Sequence, residues 1–231
     1  MKNYSAKEIK NIVLIGAPGT GKTTLAEAMA YEGKVIDRRG SIETNNTLSD
    51  NTDIEHEYKR SIYSTILFTE FMDRKLNIID CPGSDDFCGN LFSAFKVGDV
   101  GVFLFNAQNG WEVGSEIQAR YARLLKKPVI GVMPSVSEPF GISPLEAMRS
   151  NVPVIISKQS GVAEVLDYAV KVDYWDVDAL ADAIYALVKY PALAGMFASK
   201  GLEEVTNLKW NDAAAKIKSV YEAVIEESKN K

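Results

Sequence analysis

The run GAPGTGKT at Gly16–Thr23 constrains this chain more than any other feature. It follows a short apolar stretch, Asn11–Gly16 (NIVLIG), and opens a segment with helical character from Lys22 to about Glu32. Strand, glycine-rich turn and helix in that order make a phosphate-binding P-loop. The glycines let the backbone curl so that successive N–H groups point inward at a β-phosphate. Lys22 would place its ammonium between the β- and γ-phosphates, and the Thr23 hydroxyl would ligate Mg²⁺. Gly16, Gly19, Thr20, Gly21, Lys22, Thr23 and Thr24 are therefore the candidate contacts to a nucleoside triphosphate, GTP or ATP, with its Mg²⁺. A turn that merely caps a helix would need neither the lysine nor the threonine.

The rest of the chain alternates strand and helix patterns, which predicts a three-layer α/β fold with a mostly parallel, P-loop or Rossmann-like sheet. Ser61–Phe71 and Lys75–Asp80 read as a hairpin with Met72–Arg74 at the turn, giving one antiparallel strand. Val100–Asn106, Pro128–Met133, Pro153–Ser157 and Ala169–Asp173 read as further strands. Helices are expected near Gly114–Leu125 and Val162–Leu166, and the C-terminal tail is helical. Apolar residues repeat at helical spacing in Asp176–Tyr190, and again from Trp210 through Ala213, Ala214, Ile217, Tyr221 and Val224 to Ile225. Both stripes read as packing surfaces. Between the first helix and the hairpin, Gly33–Arg60 is polar and without period, too long for an ordinary connection. It is expected to order only around a γ-phosphate.

A formal charge of −5 and a pI near 5.1 imply no basic surface, so nucleic acid is not an expected partner. The polar start Met1–Lys10 and the lack of a membrane-length apolar run predict a cytoplasmic protein with no membrane partner. Two cysteines, Cys81 and Cys88, and one distant histidine, His56, do not make a zinc set and read as free thiols.

Asp80-Cys81-Pro82-Gly83 ends an apolar strand. An aspartate there can hold Mg²⁺ through water, and the Gly83 N–H can meet a γ-phosphate. With the P-loop, the segments KLNIIDCPGSDDF and VGVFLFNAQNGWEVGSE resemble the GTPase domain of elongation factor G and its paralogues over about residues 9–130. The resemblance implies a switch threonine on Mg²⁺ near Arg60–Tyr63, where this chain has Tyr63. It also implies a water-positioning histidine after Gly83, where this chain has Ser84, so hydrolysis should be slow or absent. The family's Asn-Lys-x-Asp guanine reader should follow the strand KKPVI, and here GVMPSVSEPFG stands instead, so base selectivity should be weak. The family's later domains, which grip the ribosome, have no counterpart, so no ribosomal partner is expected.

From about Val132 to Glu222 the chain resembles the C-terminal, nucleotide-sugar-binding half of retaining glycosyltransferases of the glycogen synthase and sucrose synthase type, through VMPSVSEPFGISPLEAMRSNVPVIISKQSGVAEVL. The resemblance implies that Glu138 lies near the transferred sugar and Glu146 on the ribose, with N–H groups after Phe140 at a diphosphate. Ser143-Pro144-Leu145-Glu146 also satisfies a capping box with proline at the first helical position. The family's upstream basic pair and acceptor domain are missing, so glycosyl transfer is not expected. The junction falls inside a predicted strand, where a linker would be usual. This points to one continuous domain over 1–231, in which a 131–231 fragment completes the sheet of a 1–130 fragment. The reading is an engineered fold chimera that keeps nucleotide or phosphate binding and has no evolved activity or catalytic residue. The alternatives are a translation-factor-type GTPase with weak hydrolysis and a sugar-nucleotide-binding module.

Overall fold

In a computed structural model the chain is described over residues 3–71, 73–105, 110 and 112–229. Met72 of the expected turn and Asn106 of an expected strand lie outside these residues. Seven strands form one sheet: β1 (Ile9–Ile15), β2 (Thr65–Phe71), β3 (Arg74–Asp80), β4 (Val100–Leu104), β5 (Val129–Met133), β6 (Val154–Ser157) and β7 (Val170–Val172). Their order is β2-β3-β1-β4-β5-β6-β7, and only β2 runs antiparallel to its neighbour. The order reverses about β1, so the β1 turn opens at the carboxyl edge of the sheet where ligands of such folds bind.

Alternation along the strands supplies both faces of the sheet with apolar side chains. Val13, Ile15, Phe103, Met133, Val154 and Ile156 share one cluster with Leu91, Ala94 and Phe95 of α3 (Cys88–Val97). Ala119 and Ala122 of α4 (Val113–Leu124) and Ala147 and Met148 of α5 (Ser143–Arg149) complete that layer. Leu14, Ile78 and Val102 face the other way, onto Ala26 of α1 (Lys22–Glu32). On the same side Ile130, Ile155 and Val172 meet Leu187 of α6 (Val177–Lys189). The expected three-layer, mostly parallel fold with one antiparallel strand is present.

The expected junction lies in β5, which pairs with β4 from Gly101↔Val129 to Leu104↔Val132 and with β6 from Gly131↔Val154 to Met133↔Ile156. Phe95 and Phe103 from before the junction share their cluster with Met133, Met148 and Ile156 from after it. Ser150 donates its hydroxyl to Glu116 at 3.0 Å across the same boundary.

Several local expectations are corrected. Gly33–Arg60 contains a helix, α2 (Asp53–Tyr58), closed by a capping box in which Thr52 accepts from the Glu55 N–H while Glu55 reaches back. Buried Glu27 of α1 ties the stretch down further, accepting the N–H groups of Gly40 and Leu48. β2 starts at Thr65 rather than Ser61, because the Ile62 and Tyr63 N–H groups are committed to Glu55. The Ser143 capping box does not form. Ile142 occupies the cap in helical conformation, Ser143 is already inside α5, and no side chain caps the end.

The last helix differs most. α6 and α7 (Pro191–Asn207) already cover the β5–β7 end of the sheet, α7 also packing on α5. Among the described residues α8 (Trp210–Lys229) has no surface to cover: Trp210 is 85% exposed and Tyr221 66%, so there its apolar stripe is not a packing surface. Among the described residues no single helix is long and apolar enough to cross a membrane. Phe95→Ala should therefore cost about 3–5 kcal/mol in urea unfolding, the cavity cost of a buried phenylalanine. Ile217→Ala on α8 should change stability by less than about 0.5 kcal/mol, as at exposed positions generally.

Candidate phosphate and cation site

The turn after β1 has the backbone its glycines predict. Gly16 (φ 142°), Gly19 (φ 75°) and Gly21 (φ 86°) all take positive φ, and Gly21 sits at the N-terminus of α1. A Cβ on Gly16 would run into the Leu104 carbonyl of β4, so the turn lies directly against the neighbouring strand. Gln118 of α4, 4% exposed, accepts the Gly16 N–H at 2.8 Å and anchors the start of the loop. Thr20 turns its hydroxyl onto the Ala17 carbonyl at 2.9 Å. Thr24 lies on the exposed side of the first turn of α1 and lines the open cleft above the loop. Arg60, Ser61 and Ser84 line the same cleft.

Lys22 is 6% exposed and folds under the loop, donating to the Gly16 and Ala17 carbonyls at 2.9 Å each. Burial pulls its pKa down from 10.5 to about 8, a shift that nearby Asp80 opposes. Gly83 packs on the same spot: a Cβ there would meet the Lys22 ammonium and the Pro18 backbone nitrogen. Thr23 donates its hydroxyl to Asp80 Oδ2 at 2.7 Å and lies 3.3 Å from the Ser61 hydroxyl. The other oxygen, Asp80 Oδ1, is buried without a partner. Burial raises the Asp80 pKa, with the Thr23 hydroxyl and then Ser49 and Lys22 easing it. A hydroxyl beside a carboxylate with a bare oxygen is a donor set that fits a hard divalent cation.

Gly16–Thr24, Asp80 and Gly83 thus converge at the carboxyl ends of β1 and β3, as the sequence predicts. Glu138 and Glu146 do not line this cleft. Glu138 sits in the loop after β5, half-buried, with its backbone bridged to Ser160 and its carbonyl accepting the Gly161 N–H at 2.9 Å. Glu146 lies in α5 beside Gly110. Cys81 is buried and its thiol is pushed up to about 11 by that burial, which leaves it a poor nucleophile. Cys81 and Cys88 are both free.

Sequence reasoning missed Gln118, Asp50, Glu55 and Ser61. Asp50 is 3% exposed, and burial raises its pKa, with the Ser61 hydroxyl the main relief. At Glu55 burial pushes upward too, but the Ile62 N–H, the Thr52 hydroxyl and the Tyr63 N–H outweigh it, so its pKa falls below the ordinary carboxylate range. The Thr52-x-x-Glu55 spacing is the one signal that could have revealed any of these in advance.

Two family models match the chain. Elongation factor Tu GTP binding domain matches residues 7–139, and Glycosyl transferases group 1 matches residues 112–204, so they overlap across α4 and β5. An elongation factor G-like protein of Mycobacterium tuberculosis is 34% identical over 102 residues, 44% of this chain and 14% of that protein. Tetracycline resistance protein TetM of Enterococcus faecalis is 31% identical over 123 residues, 53% of this chain and 19% of that protein. The chain thus spans less than a fifth of the length of these relatives. A crystal structure of a Thermus thermophilus protein superposes with a TM-score of 0.52 at 23% identity, over 78% of this chain and 22% of that one, which is a likeness of fold.

The low Lys22 pKa has a consequence for stability. Below about pH 8 the lysine is charged in both folded and unfolded chains, and its burial is a constant penalty. Between about 8 and 10.5 the unfolded chain holds the proton that the folded chain has lost, so stability rises with pH. The gain should be about 3 kcal/mol across that window, from 1.36 kcal/mol per unit. It should vanish in Lys22→Met, measured as the difference between the two proteins in urea unfolding at each pH. Cys81 acts in the opposite sense above about 9 and itself feels Lys22, so the comparison is cleanest between about pH 8 and 9.

With that model matching residues 7–139, more than half of the sequence, this chain belongs to the elongation factor Tu GTP binding domain family.

Proposed function

We propose that this chain binds a nucleotide with Mg²⁺ through its phosphates and reads the base weakly. The observation that carries this reading is Lys22: its ammonium is buried under the loop, bonded to two carbonyls and no carboxylate, with a pKa near 8. A phosphate above Gly19–Gly21 would give that charge an anionic partner, and the inward N–H groups of the turn would hold its oxygens. Thr23 and Asp80 would hold Mg²⁺, which supplies charge neutralisation of the phosphates. Gly83 would bring its N–H to a terminal phosphate, and Thr20 and Thr24 would rim the cleft.

The base end of the site supports weak selectivity. Pro134–Gly141 follows β5 with none of the family's Asn-Lys-x-Asp residues in that pattern. Ser84 stands beside the cleft in place of a water-positioning histidine, so turnover should be slow. The shared core and the β4–β5–β6 ladder support a single domain over 1–231, recombined near residue 130 within one fold. A join inside a strand supports an engineered origin without an evolved activity, since natural fusions favour exposed linkers.

Calorimetric titration of GTP, GDP and ATP with Mg²⁺ against the wild type and Lys22→Ala tests the reading. GTP and ATP should bind within about threefold of each other, a difference below ~1 kcal/mol. Lys22→Ala should weaken both by about tenfold or more, the loss of one charge-assisted contact. No binding to either protein would overturn the proposal. A strong preference for GTP with sustained phosphate release would favour a working GTPase instead.

A further inference from the structure

Beside the P-loop are buried carboxylate oxygens that complete no hydrogen bond, although the Ser61 hydroxyl eases Asp50 and the Ser49 hydroxyl eases Asp80 from nearby. Asp50 Oδ1, Asp50 Oδ2 and Asp80 Oδ1 all lack a hydrogen-bond partner, as do the nearby Ser49 and Ser64 hydroxyls. Water would ordinarily satisfy carboxylates, and burying them bare is costly. The backbone of Asp50 is well held: its N–H donates to the Thr47 hydroxyl at 3.2 Å, and its carbonyl lies 2.9 Å from His56 Nε2. Its inward carboxylate is therefore imposed by the surrounding chain and not by any bond the carboxylate makes.

That carboxylate adjoins the cation-ligating pair. Ser61 eases its charge on one side and lies 3.3 Å from the Thr23 hydroxyl on the other, and Thr23 donates to Asp80. Asp50 and Asp80 repel each other, and Lys22, the cation felt by both, has its protons on the Gly16 and Ala17 carbonyls. Tyr63, where the family's switch threonine would stand, cannot relieve them. It is 56% exposed, and its N–H is taken by buried Glu55.

We propose that Asp50 is a direct ligand to the divalent cation held by Thr23 and Asp80, replacing the absent switch hydroxyl. A second carboxylate raises the negative charge of the site, so the chain binds the cation even without nucleotide. Oxygen-rich donor sets with more carboxylates bind hard cations more tightly. The inference rests on the reading that this cleft takes a metal-bound phosphate, but it goes further in requiring metal binding by the protein alone.

Mn²⁺ followed by electron paramagnetic resonance is the probe. The wild-type chain, free of nucleotide, should bind one Mn²⁺, and Asp50→Asn should weaken that binding by about tenfold or more. Asp80→Asn should do the same. Thermal melts separate loss of a ligand from loss of the fold. In EDTA, Asp50→Asn should melt at or above the wild-type temperature, because a bare buried charge is gone. It should also lose the rise in melting temperature that Mn²⁺ gives the wild type. Unchanged Mn²⁺ affinity in Asp50→Asn, or wild type that takes up Mn²⁺ only with GDP present, overturns the role of Asp50 and leaves the nucleotide-binding reading intact. Wild type that binds neither Mn²⁺ nor GDP overturns both.

Discussion

The pairing of β4 with β5 is the contact on which this molecule depends. Four residue pairs join β4, which lies only in the GTP binding domain match, to β5, where the two family matches overlap. Gly101 N–H reaches the Pro128 carbonyl at 2.9 Å, and Lys127 caps the Gly98 carbonyl at 2.7 Å, so the register is fixed at the lower end as well. A slip by one residue would turn Val129 and Met133 away from Phe103 and expose Ile130 and Val132 to the wrong layer. Parallel strands buried on both faces tolerate such an exchange of neighbours because each needs apolar side chains on both sides. That shared demand allows one core to run from Phe95 to Val205.

The same sheet explains how the phosphate site is held. Gly16 can curl only because Leu104 brings a backbone carbonyl, and no bulk, to its side. Gln118 then fixes the Gly16 N–H from a helix that follows β4. The polar stretch after α1 is laid over the loop by two buried glutamates, Glu27 holding its early part and Glu55 its end. The cost is a concentration of buried charge: Lys22 with a lowered pKa, Asp50 and Asp80 with raised ones. Sites poised in this way commonly serve ligands that complete the charge balance.

Much of this was legible along the chain. The P-loop reads from eight consecutive residues, and Asp80 and Gly83 read from a short motif at a strand end, because both depend on local backbone geometry. The mostly parallel sheet with one antiparallel strand follows from alternating strand and helix patterns and a hairpin. The apolar period of α8 was equally legible, but a period shows only that one face is apolar. Whether that face is covered depends on how much sheet α6 and α7 have already taken.

The sequence alone determined the phosphate cradle, the α/β layers and the absence of a guanine-reading motif, since each is written in neighbouring residues or simple periods. Tertiary structure decided which polar residues serve the cradle. Gln118 meets Gly16 from 102 positions away, and Asp50 reaches the neighbourhood of Asp80 through a stretch with no period. It also placed Glu138 and Glu146 away from the P-loop cleft. Spacing along the chain fixes only what a local turn can bring together; contacts between distant segments are set by which faces the sheet leaves open.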